Sequence, residues 1–287
     1  MDIQQGPPRI FDPARRAHAR DRAFTAFAEH DFLYRDMLDG LLERLEDVQR
    51  SLDTVLLIGC PDGSAAAALR ALGKHVTCAD PGPFNADAND GICAQEDALP
   101  FAENSFDLII CCGTLDSVND LPGALIQMRR ILRPDGLLLA ACVAAGSLPR
   151  LKSALLKAEG DRPMPHIHPQ IDVQSAGDLL SRAGYAMPVA DIEGLTVRYS
   201  SLLRLMQDLR GMGYGNVMTS DRRGTLTRDV VMRASAAFAE AADPDGKTSE
   251  HFTLLYLSGW KPDPSQPKAA RRGSATISLA QALKAKA

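Results

Sequence analysis

The chain has 287 residues, 45% of them hydrophobic and 24% charged, with a formal net charge of -4. That length allows one large core, and the composition is that of a globular chain rather than a disordered or fibrous one. The charge gives no global attraction to nucleic acid or to an anionic membrane, and no apolar run reaches transmembrane length.

The first residues carry neither a secretory apolar core nor an Arg-rich amphipathic presequence, which reads as a cytoplasmic protein. Six cysteines (Cys60, Cys78, Cys93, Cys111, Cys112 and Cys142) show no zinc-type spacing and are expected to be buried thiols. No metal site is expected. His166 and His168 flank Ile167, but no third ligand accompanies them.

Residues 1–53 read as a helical segment that acts as a lid or packing layer. Arg15, Arg16, His18, Arg20 and Arg22 form a basic stripe, expected to be a solvated helix face. A second helix over 31–48 places Leu33, Met37, Leu38, Leu41, Leu42 and Leu45 at helical spacing.

The chain is organised around residues 54–63. Val55 to Ile58 form a short buried strand that stops at Gly59, and the alanine-rich stretch 64–72 reads as a helix. Strand, glycine turn and helix open a βαβ unit, whose helix N-terminus offers free N–H groups to an anionic ligand. Gly59, Cys60 and Gly63 are therefore candidate cofactor-binding residues. A second strand over 75–79 delivers Asp80, at the spacing from Gly59 expected of a carboxylate that accepts ribose hydroxyls.

A third short strand spans 91–95. Asp97, beside Ala98, then stands where a carboxylate accepts the exocyclic amine of adenine. The fourth strand, 107–112, ends at Gly113, whose loop faces the same cleft. Asp120 caps a helix over 121–132, and Arg133 to Gly136 turn the chain into a fifth strand over 137–143. Further on come a helix over 173–183, a strand over 187–192, an extended piece over 195–199 and a helix over 202–209. Gly211, Gly213 and Gly215 read as a helix stop and a mobile flap over the cleft. A helix over 225–241 leads to the last strand, 252–260. Residues 261–287 form a basic tail, with Lys261, Lys268, Arg271, Arg272, Lys284 and Lys286 against Asp263.

This order of elements resembles the class I methyltransferase fold that binds S-adenosylmethionine. Asn104-Ser105-Phe106-Asp107-Leu108-Ile109 and Leu132-Arg133-Pro134-Asp135-Gly136 carry that likeness. The fold implied is Rossmann-like α/β: a mainly parallel seven-stranded sheet with helices on both faces, over 54–260. N-terminal helices precede it, and a helical insertion at about 200–245 precedes the last strand.

The stretches 208–216 and 259–276 narrow the resemblance to the complex I assembly factor 5 family, which is similar in its first half to malonyl-carrier-protein methyltransferases. The resemblance implies S-adenosylmethionine as cofactor and modification of a side chain on a protein, a complex I subunit, by methylation or arginine hydroxylation. A non-catalytic assembly protein and a small-molecule or carrier-protein O-methyltransferase are the alternatives. No nucleic acid partner is implied.

The sequence departs from the family pattern in the first loop. Leu57 stands for an acid, Pro61 for a glycine, and Asp62 adds negative charge near the expected methionine carboxylate. After the fourth strand, Asp116-Ser117 replaces a His-Trp pair. Leu57, Pro61 and Asp62 favour the non-catalytic alternative, whereas Asp80, Asp97 and the intact flanking sequence favour the enzyme.

Overall fold

A computed structural model describes residues 9–161, 164–219 and 226–263. Seven strands form one sheet: β1 (Thr54–Ile58), β2 (His75–Asp80), β3 (Ile92–Cys93), β4 (Phe106–Cys112), β5 (Leu132–Val143), β6 (Ala186–Tyr199) and β7 (Thr248–Trp260). Their order is β3-β2-β1-β4-β5-β7-β6. The first five are parallel, and β7 runs antiparallel between β5 and β6. Strand order reverses between β1 and β4, which opens a crevice at their C-terminal ends.

Strand β1 explains why its sequence is apolar throughout. Val55 and Leu57 join one core while Leu56 and Ile58 join the other, because both faces of a parallel sheet are covered. On the first face lie α2 (Phe32–Glu46), α3 (Ser64–Ala71), α6 (Pro149–Glu159), α8 (Leu202–Gly211) and α9 (Arg228–Glu240), through residues such as Leu41, Leu69, Leu155, Leu205 and Phe238. On the second lie α5 (Leu121–Ile131) and α7 (Val173–Arg182), through Leu125, Met128 and Leu180. Leu57 is fully buried in the first core. The insertion α8–α9 comes between β6 and β7.

Helix α1 (Pro13–Ala23) lies over the crevice. Asp12 caps it by accepting from the N–H groups of Ala14 and Arg15, with Pro13 at the first turn. Its entry is pinned from two sides. Asn119 accepts from the N–H groups of Ile10 and Phe11 and donates to the Phe11 carbonyl. Asp12 N–H donates to Val217 O, and Thr219 N–H to Ile10 O.

Four local expectations need correction. The extended pieces 187–192 and 195–199 are one strand, since Gly194 pairs with Thr253 rather than breaking the ladder. The turn at 133–136 is an irregular start to β5, with Asp135 at φ 59°. Helix α6 and the short α4 (Pro83–Ala88) were not anticipated. Five cysteines are buried, but Cys93 is exposed because β3 is a two-residue edge strand. Residues 264–287, most of the basic tail, lie outside the described residues.

Candidate cofactor cleft and acceptor pocket

The turn after β1 is built for a close backbone approach. Gly59 has φ 88°, and a Cβ there would sit 2.2 Å from the Cys112 carbonyl oxygen, so only glycine fits. Asn89 holds the turn by donating to the Cys60 carbonyl at 2.9 Å. Asp62 accepts from both the N–H and the hydroxyl of Ser64, at 3.0 and 2.7 Å. Its charge is thereby tied to the first residue of α3. Pro61 is buried beside Tyr34 and Gly113 and offers no N–H.

Asp80 ends β2 with its side chain fully buried. Its carboxylate accepts from the N–H groups of Cys60 (3.0 Å) and Gly82 (2.8 Å). The Arg20 guanidinium completes the set through Nε at 2.8 Å and Nη2 at 2.6 Å. One turn earlier on α1, Arg16 makes the same bidentate pair with Glu96, at 2.7 and 2.9 Å. Arg16 also donates to Gln95, Ser117 and the Thr114 carbonyl. Burial disfavours both guanidinium charges, and the facing carboxylates more than offset it, so both pKa values lie above the ordinary arginine value.

These two arginines fill the crevice where a nucleoside would lie. The spaces left around Arg20, Gly113 and Tyr214 measure only about 20 and 10 Å³. Gly113 has φ 67°, and the Tyr214 hydroxyl lies 3.1 Å from where its Cβ would be. That hydroxyl is buried without a hydrogen-bond partner, an uncommon state for a buried polar atom.

Beyond Tyr214 the cleft opens into a 70 Å³ pocket that Asp116, His166 and His168 also line. Burial raises the Asp116 carboxyl to about 6 against the opposing pull of Arg16 and Arg20. Burial, helped by Arg16, lowers His168 to about 4. His168 is held neutral as the acceptor of Val217 N–H at 3.0 Å. His166 pairs instead with Glu159 at 2.6 Å. The two histidines thus serve different partners, and among the described residues no three His, Cys, Asp or Glu side chains converge as metal ligands.

The structure brings Gly59, Cys60, Asp80 and Gly113 to one crevice, with Gly63 starting α3 behind them. Asp97 and Ala98 are less enclosed. Glu96, not Asp97, is the fully buried acid on Arg16. The basic stripe is not one solvated face: Arg16 and Arg20 point inward while His18 and Arg22 are exposed. Arg16, Arg20, Glu96 and Tyr214 were missed as site residues. The spacing of Arg16 and Arg20 with Ala19 and Ala23, all on one helix face, was the available signal.

Residues 56–140 match the model of a methyltransferase domain. The mitochondrial arginine-hydroxylase NDUFAF5 of Danio rerio is 34% identical over 289 residues, covering 96% of this chain and 90% of the relative. The chain belongs to the NDUFAF5 family. A malonyl-[acyl-carrier protein] O-methyltransferase of Methylovorus is 29% identical, over 88% of this chain and 90% of that one. Among solved structures, a phosphoethanolamine N-methyltransferase of Haemonchus contortus superposes with a TM-score of 0.51 at 11% identity, covering 90% of this chain and 61% of that one. It shares the fold.

In this member of the NDUFAF5 family the donors and acceptors fit S-adenosylmethionine: the Gly59 turn, the buried Asp80 carboxylate and the partnerless Tyr214 hydroxyl. The space fits only once the side chains of Arg16 and Arg20 withdraw, since ligand pockets of this kind hold roughly 300–1,000 Å³.

Proposed function

We propose that the chain is an S-adenosylmethionine-dependent, methyltransferase-like enzyme that modifies a protein side chain in respiratory complex I assembly. The observation that carries this reading is similarity to an arginine hydroxylase over 96% of the chain, which takes in the α8–α9 insertion that the sheet itself does not require. Asp80 is assigned to the ribose hydroxyls, Glu96 or Asp97 with Ala98 to the adenine, and Gly59, Cys60 and Gly63 to the methionine end at the start of α3. Gly113 leaves room at the reacting end. Bound there, S-adenosylmethionine supplies an activated methyl group. Asp116 faces the acceptor side, and a carboxyl that titrates at about 6 is mostly ionised at neutral pH and can take a proton from the acceptor.

Methylation and arginine hydroxylation both remain within this reading. Hydroxylation also consumes an oxidant such as dioxygen and a reductant. A non-catalytic assembly protein is the second reading, favoured by the arginines that occupy the crevice; a carrier-protein O-methyltransferase is the third, by likeness to the Methylovorus enzyme. The described cysteines are all free, which fits a reducing compartment such as the cytoplasm. No helix among the described residues is long and apolar enough to cross a membrane.

The test is calorimetric titration with S-adenosylmethionine, followed by mass spectrometry of complex I subunits incubated with the protein. Binding is expected, and Asp80→Ala should weaken it by roughly 1.5–3 kcal/mol, the scale of a hydrogen bond to a charged group. A net mass gain of one CH2 unit identifies methylation, and a gain of one oxygen atom identifies hydroxylation. Absence of binding at saturating cofactor would overturn the enzyme reading in favour of the second.

A further inference from the structure

A second, larger cavity lies on the outer side of α1. It measures about 610 Å³ and is walled by α1, α6, α8 and α9, within the usual range for a binding pocket. Part of the lining is cationic: Arg15 and Arg22 project from α1, with His18 between them, and Arg210 projects from the end of α8. Apolar side chains supply much of the remaining lining, Leu151 and Leu155 from α6, Val231 from α9 and Leu226 just before it. No acidic residue lines it among the described residues. Arg15 is shared with Asp12 at 3.5 Å, whereas among the described residues the side chains of His18, Arg22 and Arg210 have no hydrogen-bond or ion-pair partner. In a chain of net charge -4, such a concentration of positive charge beside an apolar surface is local and does not follow from composition. The cavity also reaches the chemistry, because Tyr214 and His166 line both it and the small pocket that holds Asp116.

We propose that this cavity receives a segment of the protein partner that carries acidic side chains along one edge and apolar anchors along the other. The proposal deepens the protein-modifying reading above and rests on it. Opposite charge favours acidic segments and disfavours basic ones, chiefly through encounter rate and register, while buried apolar anchors supply affinity. Leu226, 40% exposed, belongs to the apolar lining and is open to such an anchor. With the segment seated there, the target side chain passes Tyr214 towards Asp116.

The test uses the full-length protein and a fluorescein-labelled peptide of alternating Glu-Glu and Leu-Leu pairs, read by anisotropy. Its counterpart has Lys for Glu, and laurate is the competitor. The Glu–Leu peptide should bind and the Lys–Leu peptide should not. Added salt should weaken binding, since screening shortens from about 10 Å at 0.1 M to about 3 Å at 1 M. The combined change Arg15→Glu, Arg22→Glu and Arg210→Glu should weaken binding at least about tenfold, and Leu226→Glu several-fold, with melting curves confirming both folds. If charge reversal costs the fold, the same three positions changed to Gln must still lose several-fold. Equal binding of both peptides, or undiminished binding in a folded variant, overturns the proposal. So does complete displacement by laurate, which would make this a site for a small anionic amphiphile. Docking needs no cofactor, so peptide binding without S-adenosylmethionine binding would sink the enzyme reading alone.

Discussion

Asp80 and Arg20 hold each other in a site that neither would tolerate alone. A fully buried carboxylate needs its charge answered, and Arg20 does so bidentately while Cys60 and Gly82 N–H groups satisfy the rest. Arg20→Ala should therefore cost about 3–5 kcal/mol of stability, the usual result of stripping one partner from a buried pair. The same change uncovers the carboxylate proposed above to take the ribose hydroxyls, so on that proposal S-adenosylmethionine should bind the folded variant more tightly than the parent. Urea denaturation and calorimetry read the two effects; weaker cofactor binding would show that Arg20 assists the ligand rather than competing with it.

Two neighbours give a pH signature. His168 titrates at about 4 in the fold and near 6.5 unfolded. Between those values the unfolded chain binds the extra proton, so this residue removes stability as pH falls from about 6.5 to about 4. Asp116, raised to about 6 from a usual 3.9 or so, works oppositely: the folded chain binds the extra proton, and stability rises as pH falls through that window. His168→Gln should flatten the acid loss of stability between pH 7 and about 4.5, and Asp116→Asn should steepen it. Identical melting-temperature profiles for parent and variants would refute both assignments. None of this was legible in the sequence. Arg16 finds Glu96 eighty positions away, and only the fold brings Asp116 beside His168.

At the scale of elements, periodicity carried most of the fold. The run Val55 to Ile58 is apolar on both faces because both are covered, and Leu33, Met37 and Leu41 of α2 fall on one buried stripe. What failed was the meaning of glycine. Gly194 lies within β6 because the His251 ring packs against it, leaving a Cβ only 2.9 Å from that ring. Gly211, read as a helix stop and part of a flap, does end α8, but it is packed against His30, whose ring would lie 2.0 Å from an added Cβ. Close packing, not mobility, demands glycine there. Gly211→Ala should therefore destabilise the protein by about 1–3 kcal/mol, as overpacking does, with the urea midpoint falling and the slope unchanged. A neutral or stabilising result would mean that His30 leaves its 2.8 Å partner Asp208 freely and that the segment yields as a flap should. Gly213, at φ 80°, is the glycine whose conformation the turn requires.

For the molecule as a whole, the question is what cofactor binding must undo. Helix α1 is fastened at its start through Asn119 and Val217 and across its inner face through Arg16 and Arg20. With these contacts made, the crevice offers about 20 and 10 Å³, far below the several hundred Å³ that ligands of this class occupy. Binding must therefore draw on a state in which both guanidiniums have left their carboxylates, and the apparent affinity is reduced by the fraction of molecules in that state. Charge bookkeeping points the same way, since Asp80 cannot accept ribose hydroxyls while its oxygens are engaged by Arg20, Cys60 and Gly82. Hydrogen exchange can follow this directly. On saturation with S-adenosylmethionine, amides of α1 should exchange faster as its inner contacts break, while amides around Gly59 to Ser64 should exchange more slowly under the ligand. In Arg20→Ala the α1 amides should exchange faster than in the parent before any ligand is added, and the cofactor should add a smaller further increase, because Arg16 still has to leave Glu96. If instead the cofactor protects α1 in the parent protein, the helix closes over the ligand, and Arg16 and Arg20 belong to the binding site rather than standing in its way.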